Sequence, residues 1–84
     1  MNTTFLLMAQ YNTALIPVDV VCRDFFGGIS VVRFLAKVDS GEIKLPLIRM
    51  ERSQKGMKCV AVSDLAEYID ARRKEAVEAM KRAS

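Results

Sequence analysis

A glycine pair, Gly27-Gly28, constrains the fold of this 84-residue chain more than any other feature. Apolar residues recur at spacings of three and four on both sides of the pair, which predicts one short helix before it and one after it. Glycine readily takes the left-handed backbone conformation in which many helices end, so the pair is expected to stop the first helix and turn the chain. Residues 17–39 are therefore predicted to form a helix-turn-helix.

The first of these helices is expected to begin at Pro17, because proline is favoured at the first helical position. Its apolar face is predicted to consist of Val18, Val21, Cys22 and Phe25. The second helix has Ser30 as its predicted N-cap and ends at Ser40-Gly41. Its buried stripe is predicted to consist of Val31, Leu35 and Val38, with Phe34 at one border.

The outer face of the second helix carries two cations, Arg33 and Lys37, beside Val32 and Ala36. A second helix that presents cations after a short turn matches the layout in which such a helix enters the major groove of DNA. Ser30, Arg33 and Lys37 are therefore candidate base-reading residues. The alternative is a solvated face that needs no partner.

Two short runs, residues 47–51 and 58–62, are separated by a polar stretch that contains a glycine, and this predicts a β-hairpin. Ile48 and Met50 are expected to face the core. Lysine and arginine neutralise phosphates, while serine and glutamine donate hydrogen bonds to DNA, so the loop has the composition of a DNA-contacting wing. The candidate contacts from the hairpin are Arg49, Arg52, Ser53, Gln54, Lys55 and Lys58. A solvated turn is the alternative.

The two ends of the chain are predicted to support this centre. In residues 1–16, the apolar run is favoured as a packing helix capped by Thr3 or Thr4, although a strand that pairs with Ala14 to Ile16 fits as well. Residues 63–83 are predicted to be a helix with Ser63 as N-cap and acids in its first turn. Its first half is expected to pack on the hairpin. Its second half either protrudes or pairs with a second subunit through Ala76, Val77 and Met80.

The charge and the histidine and cysteine content limit the classes of function that this chain can have. The net charge of +3 permits nucleic-acid binding, and seven basic residues against three acidic ones lie between Arg33 and Lys58. The chain has no histidine and two cysteines, so it lacks a zinc-ligand set and the usual general base. We therefore expect no metal, no cofactor and no enzymatic activity, and we expect Cys22 and Cys59 to be buried free thiols. Neither a signal peptide nor a membrane-spanning run is evident, which predicts a single cytoplasmic domain.

Four stretches, in order FLLMAQY, IPVDVVCRDFFG, GEIKLPLIRMERSQKG and VSDLAEYID, resemble the pyocin activator (PrtN-like) family. The layout is also similar to the winged-helix excisionases and AlpA-type phage regulators. The resemblance implies a small transcriptional activator of bacteriocin or prophage genes, and Ser53-Gln54-Lys55 is the wing motif that it supports. The second helix is the least family-like segment.

The sequence thus predicts an α+β fold, a small winged helix-turn-helix, that binds double-stranded DNA in a promoter or operator and contacts RNA polymerase. Two alternatives stay open. One is an excisionase-like architectural factor for site-specific recombination, and the other is a protein-interaction module that does not bind DNA.

Overall fold

A computed structural model describes residues 2–51 and 58–83 and shows an α+β fold. Within these residues there are four helices and a three-stranded antiparallel sheet. The elements in chain order are α1 (Thr3–Tyr11), β1 (Leu15–Pro17), α2 (Val18–Phe25), α3 (Val31–Asp39), β2 (Ile48–Arg49), β3 (Lys58–Ala61) and α4 (Val62–Ala83). No helix in the described part of the chain is both long and apolar enough to cross a membrane.

The two helices predicted around Gly27-Gly28 are present as α2 and α3. Both glycines have positive φ, 68° and 78°, and the amide of Gly28 donates to the carbonyl of Cys22 at 2.9 Å, which closes α2. Left-handed backbone of this kind is strained for residues with a side chain. Ser30 caps α3 as predicted, because its hydroxyl accepts a hydrogen bond from the amide of Arg33.

Helix α3 is rotated relative to the prediction. Phe34, which was expected at the border of the buried stripe, lies at its centre with no exposed surface, whereas Val31 is 38% exposed. The reason is an aromatic contact made across the turn. The ring of Phe26 meets that of Phe34 edge-on at 5.2 Å, and this pairing draws the larger side chain into the core.

The sheet has the order β1-β3-β2, so β3 is its central strand. The hairpin is shorter than predicted, because β2 contains two residues and its pairing with β3 ends at Arg49 opposite Lys58. The expectation that Met50 faces the core was wrong: Met50 lies beyond the paired residues and is 70% exposed. The second run was also too long by one residue, since Val62 belongs to α4.

The apolar run of segment 1–16 forms the helix that was favoured for it, so the strand considered as the alternative for this run was wrong. Helix α1 is present, capped by Asn2 instead of Thr3 or Thr4, and the chain then forms β1, which pairs with β3. The expectation that the helix begins at Pro17 was wrong by one residue: Pro17 ends β1 and is the N-cap of α2, which begins at Val18.

Helix α4 begins at Val62, so Ser63 lies inside its first turn and is not its N-cap. Its first half packs on α1 and on β3, and Thr3 Oγ1 donates to Asp70 Oδ1 at 2.7 Å. The core of buried residues comprises Leu7, Ile16, Val18, Val21, Cys22, Phe34, Ile43, Leu45, Val60, Val62, Leu65 and Ala66.

Both cysteines are buried free thiols, as predicted. Burial raises the pKa of the Cys22 thiol, with a smaller contribution from the negative charge of Asp19. A thiol that stays protonated is a poor nucleophile, so Cys22 acts as a small apolar core residue.

Candidate nucleic-acid interface

The outer face of α3 is exposed to solvent. Val32 is 78% exposed, and Ala36 and Asp39 are exposed as well. Because these three residues are spaced by four and three, they form one stripe along the helix. We call Val32, Ala36 and Asp39 the outer stripe. Arg33 lies beside it and is also exposed.

The backbone of Arg33 is held by the N-cap of α3, whereas its charged side chain has no partner among the described residues. Its amide is bound to the hydroxyl of Ser30 at 3.2 Å, while its guanidinium makes no hydrogen bond or ion pair with any residue in the described part of the chain. Phe34, the next residue, is fully buried and fixes the rotation of the helix. The five donors of a guanidinium are therefore held at the surface on a rigid support.

Lys37 has a different environment. Its side chain is 32% exposed, and Nζ lies 3.1 Å from Glu42 Oε1 in an ion pair. Both residues line a groove of about 610 Å³ between the α2–α3 turn, the segment after α3 and α4. The apolar part of this groove is formed by Phe25, Phe26, Ile29, Ile43, Leu65, Tyr68 and Ile69. Lys37 is thus at the flank of α3, already neutralised by an acid five residues later.

The sheet adds two further cations. Arg49 is exposed and Lys58 is half-buried, and the register places them directly opposite each other on β2 and β3. Like charges on opposite residues of antiparallel strands destabilise the pair. The arrangement therefore concentrates positive charge at the base of the hairpin, where an anion would relieve it. Arg52, Ser53, Gln54 and Lys55, the predicted wing tip, lie outside the described residues, so their role stays a prediction.

On the outer face of α2, Arg23 and Asp24 neutralise each other. Arg23 Nε donates to Asp24 Oδ1 at 2.9 Å, and the hydroxyl of Tyr11 donates to Asp24 Oδ2 at 2.7 Å. The hydrogen bonds from Arg23 and then Tyr11 lower the pKa of Asp24. Partial burial and the bond to Asp24 raise the pKa of Tyr11 to about 12. These charges have partners within the molecule and are not candidates for binding DNA.

Two acids were missed by reasoning from the sequence. Asp39 is part of the outer stripe, and its position follows from the spacing with Val32 and Ala36. Glu42 pairs with Lys37 across the end of α3, and no helical spacing predicts a pair separated by five residues. Within residues 2–51 and 58–83, no group of three or more His, Cys, Asp or Glu side chains could hold a metal ion.

Comparison with protein-family models identifies the relatives of this chain. The model described as "Pyocin activator protein PrtN" matches residues 3–76, a range that runs from the start of α1 into the second half of α4. No curated protein and no solved structure matches the chain. The matched range contains α2, the glycine turn, α3 and the whole sheet, and it therefore includes every candidate DNA contact. The chain belongs to the pyocin activator family.

Proposed function

We propose that this protein is a sequence-specific regulator that binds double-stranded DNA and activates bacteriocin or prophage genes. The observation that carries the proposal is the guanidinium of Arg33, which is exposed and unpaired within the described residues on a helix anchored by Phe34. The family points to regulation of pyocin genes. Such a regulator works in the bacterial cytoplasm, where those genes are transcribed.

Helix α3 enters the major groove with its outer stripe toward the base edges. Arg33 then reaches a guanine, whose N7 and O6 accept a bidentate pair from a guanidinium. Val32 and Ala36 present methyl groups, which favour contact with the methyl group of thymine. The hydroxyl oxygen of Ser30 already accepts a hydrogen bond from the backbone amide of Arg33, and the hydroxyl hydrogen is available to a phosphate oxygen.

The remaining cations hold the DNA backbone. Arg49 and Lys58 form one positive spot, Lys37 leaves Glu42 for a phosphate at the flank of α3, and Arg52 and Lys55 extend the contact from the hairpin loop. Ser53 and Gln54 donate hydrogen bonds to phosphates or base edges. With about five phosphates neutralised, log K is expected to fall against log salt with a slope of about −4 to −5.

Activation also requires protein contacts. We propose that the second half of α4 supplies them, either to RNA polymerase or to a second copy of the chain. Ala76 is exposed, Val77 is half-buried and Met80 is 63% exposed. Sedimentation of the wild type and of Met80→Asp tests pairing through this helix. A dimer that the substitution does not weaken rules out α4 as the contact.

The function is tested by recovering genomic fragments bound by the purified protein, and then measuring shift assays on the enriched sequence and on a scrambled duplex. We expect tight binding to the enriched duplex, weaker binding to the scrambled one, and a salt slope of about −4 to −5. Equal affinity for both duplexes would contradict the proposed sequence specificity. No shift on any fragment would contradict DNA binding and would favour the alternative of a protein-interaction module.

A promoter-reporter assay beside a DNA-bending assay on the same fragment then separates activation from the excisionase-like alternative. An activator raises transcription from the reporter. A factor that bends its site without raising transcription would contradict the activator assignment while preserving DNA binding.

A further inference from the structure

We propose that Asp39 determines part of the target sequence by accepting a hydrogen bond from the N4 amino group of a cytosine in the major groove. This inference rests on the proposed DNA-binding function. It adds an acidic side chain to an interface otherwise defined by cations and small apolar residues.

The first support comes from the position of Asp39. Val32, Ala36 and Asp39 form the outer stripe, and each is exposed. With a rise of 1.5 Å per residue, the stripe is about 10.5 Å long. Base pairs are separated by about 3.4 Å, so a helix laid along the groove spans about three base steps with this stripe. An orientation that brings Val32 and Ala36 to the bases therefore brings the carboxylate of Asp39 to them as well.

The second support comes from the local electrostatics of Asp39. It is the last residue of α3, where the negative end of the helix dipole disfavours an anion. The nearest cation in sequence, Lys37, is two residues away on another face and is paired with Glu42. Asp39 itself has no hydrogen bond or ion pair with any residue that the structure describes. The carboxylate thus lies at the negative end of a helix without a cation beside it, and departures of this kind from local rules occur at functional sites.

The chemistry of DNA then selects the partner. An ionised carboxylate only accepts hydrogen bonds, and phosphate and sugar oxygens cannot donate to it. In the major groove the donors are the N4 amino group of cytosine and the N6 amino group of adenine. Adenine places the acceptor N7 next to its donor, which repels a carboxylate, whereas cytosine has no acceptor at that edge. Cytosine is therefore the base that Asp39 favours.

This assignment gives Asp39 two opposite effects. On a duplex without cytosine at the contacted position, the carboxylate is repelled by the phosphates and gains nothing. On the correct duplex, the hydrogen bond offsets that repulsion. Asp39 then improves discrimination more than it improves affinity, which is how an unfavourable group can contribute to specificity.

The experiment compares the wild type with Asp39→Ala and Asp39→Asn on a selected target duplex and on its three single-base variants at each position under α3. We expect the wild type to prefer cytosine at one position by about five- to hundredfold, the range for one good base contact. Asp39→Ala is expected to abolish this preference, to bind the target more weakly and to bind the mismatched duplexes more tightly. Asp39→Asn is expected to shift the preference toward adenine, which pairs with asparagine.

Asp19→Ala is the matched control, because it removes one exposed carboxylate from α2 and changes the net charge by the same amount. It is expected to leave the base preference unchanged. Uniformly tighter binding by Asp39→Ala on all duplexes would overturn the inference, since repulsion alone explains it. Unchanged binding would also overturn it and would leave the carboxylate for a basic protein partner. In both cases the wild type still binds DNA, so these results differ from failure of the proposed function.

Discussion

Helices α2 and α3 have nearly the same length, and both bury one apolar face, yet their outer faces differ. On α2, Arg23 and Tyr11 are both bound to Asp24, while Asp19 is exposed and has no partner among the described residues. On α3 the guanidinium of Arg33 and the carboxylate of Asp39 have no partner among the described residues, and Val32 is 78% exposed. The two helices thus differ most clearly in their exposed arginines, because Arg23 has a partner and Arg33 has none among the described residues.

The difference shows where function is to be sought. A charge with a partner in its own molecule loses that partner when it binds a ligand, whereas an unpaired charge gains one at little cost. We therefore propose that α2 serves as the support and α3 as the binding element. Four experiments test this contrast between the two helices, beginning with the substitution that should perturb the protein most.

The strongest perturbation is expected from Phe34→Ala, because Phe34 is fully buried and sets the rotation of α3. Removing a buried aromatic side chain costs about 3–5 kcal/mol of unfolding free energy. Val32→Ala on the same helix is the control, and it is expected to change stability by less than about 0.5 kcal/mol, since the site is exposed. Chemical denaturation of both variants measures the two losses. Similar losses for both would contradict the assigned rotation.

Arg33→Ala is expected to cost about 1–3 kcal/mol in binding to the target duplex and to reduce the preference over a scrambled duplex. Arg23→Ala is the matched control, because it removes the same side chain from the outer face of α2. It is expected to leave DNA binding nearly unchanged. Shift assays with both variants on both duplexes measure this. Equal losses on the two duplexes for Arg33→Ala would reject its role in reading bases.

Glu42→Gln is expected to strengthen binding to every duplex, because it releases Lys37 from its ion pair. Exposed ion pairs are worth about 0–1 kcal/mol, so the gain is at most about fivefold. The salt dependence should become steeper by about one unit if Lys37 contacts a phosphate. Glu75→Gln is the control, because Glu75 is as exposed as Glu42 and also forms an ion pair, with Arg72 on α4. Unchanged affinity for Glu42→Gln would remove Lys37 from the interface.

The weakest perturbation concerns the network of α2 and its pH dependence. The pKa of Tyr11 is raised to about 12 from the ordinary value of 10.0, so its folded state retains a proton that the unfolded state loses. Stability from this group is complete below pH 10 and falls as the pH rises through 12. Tyr11→Phe is expected to show a shallower decline of unfolding free energy over that window. Denaturation at a series of pH values measures it, and identical declines would contradict the raised pKa of Tyr11.

Local patterns were sufficient to locate α2, α3 and α4, because helical spacing and the glycine pair act over a few neighbouring positions, although the N-cap predicted for α4 was wrong. They also identified the buried free cysteines. The hairpin was found, but it extends over fewer residues than predicted, since the pairing of strands depends on partners distant in the chain. Strand β1 could not be assigned from local patterns, because it is stabilised by pairing with β3, which joins residues more than forty positions apart.

For the candidate site, the amino-acid pattern alone established that α3 is a short helix with cations after a glycine turn. It could not establish which side of that helix faces solvent. The rotation depends on the contact of Phe34 with Phe26, and the neutralisation of Lys37 depends on Glu42 in the following loop. Both contacts join side chains whose proximity in the fold cannot be predicted from helical spacing. Periodicity restricts a face to a range of angles, and only the folded core selects one of them.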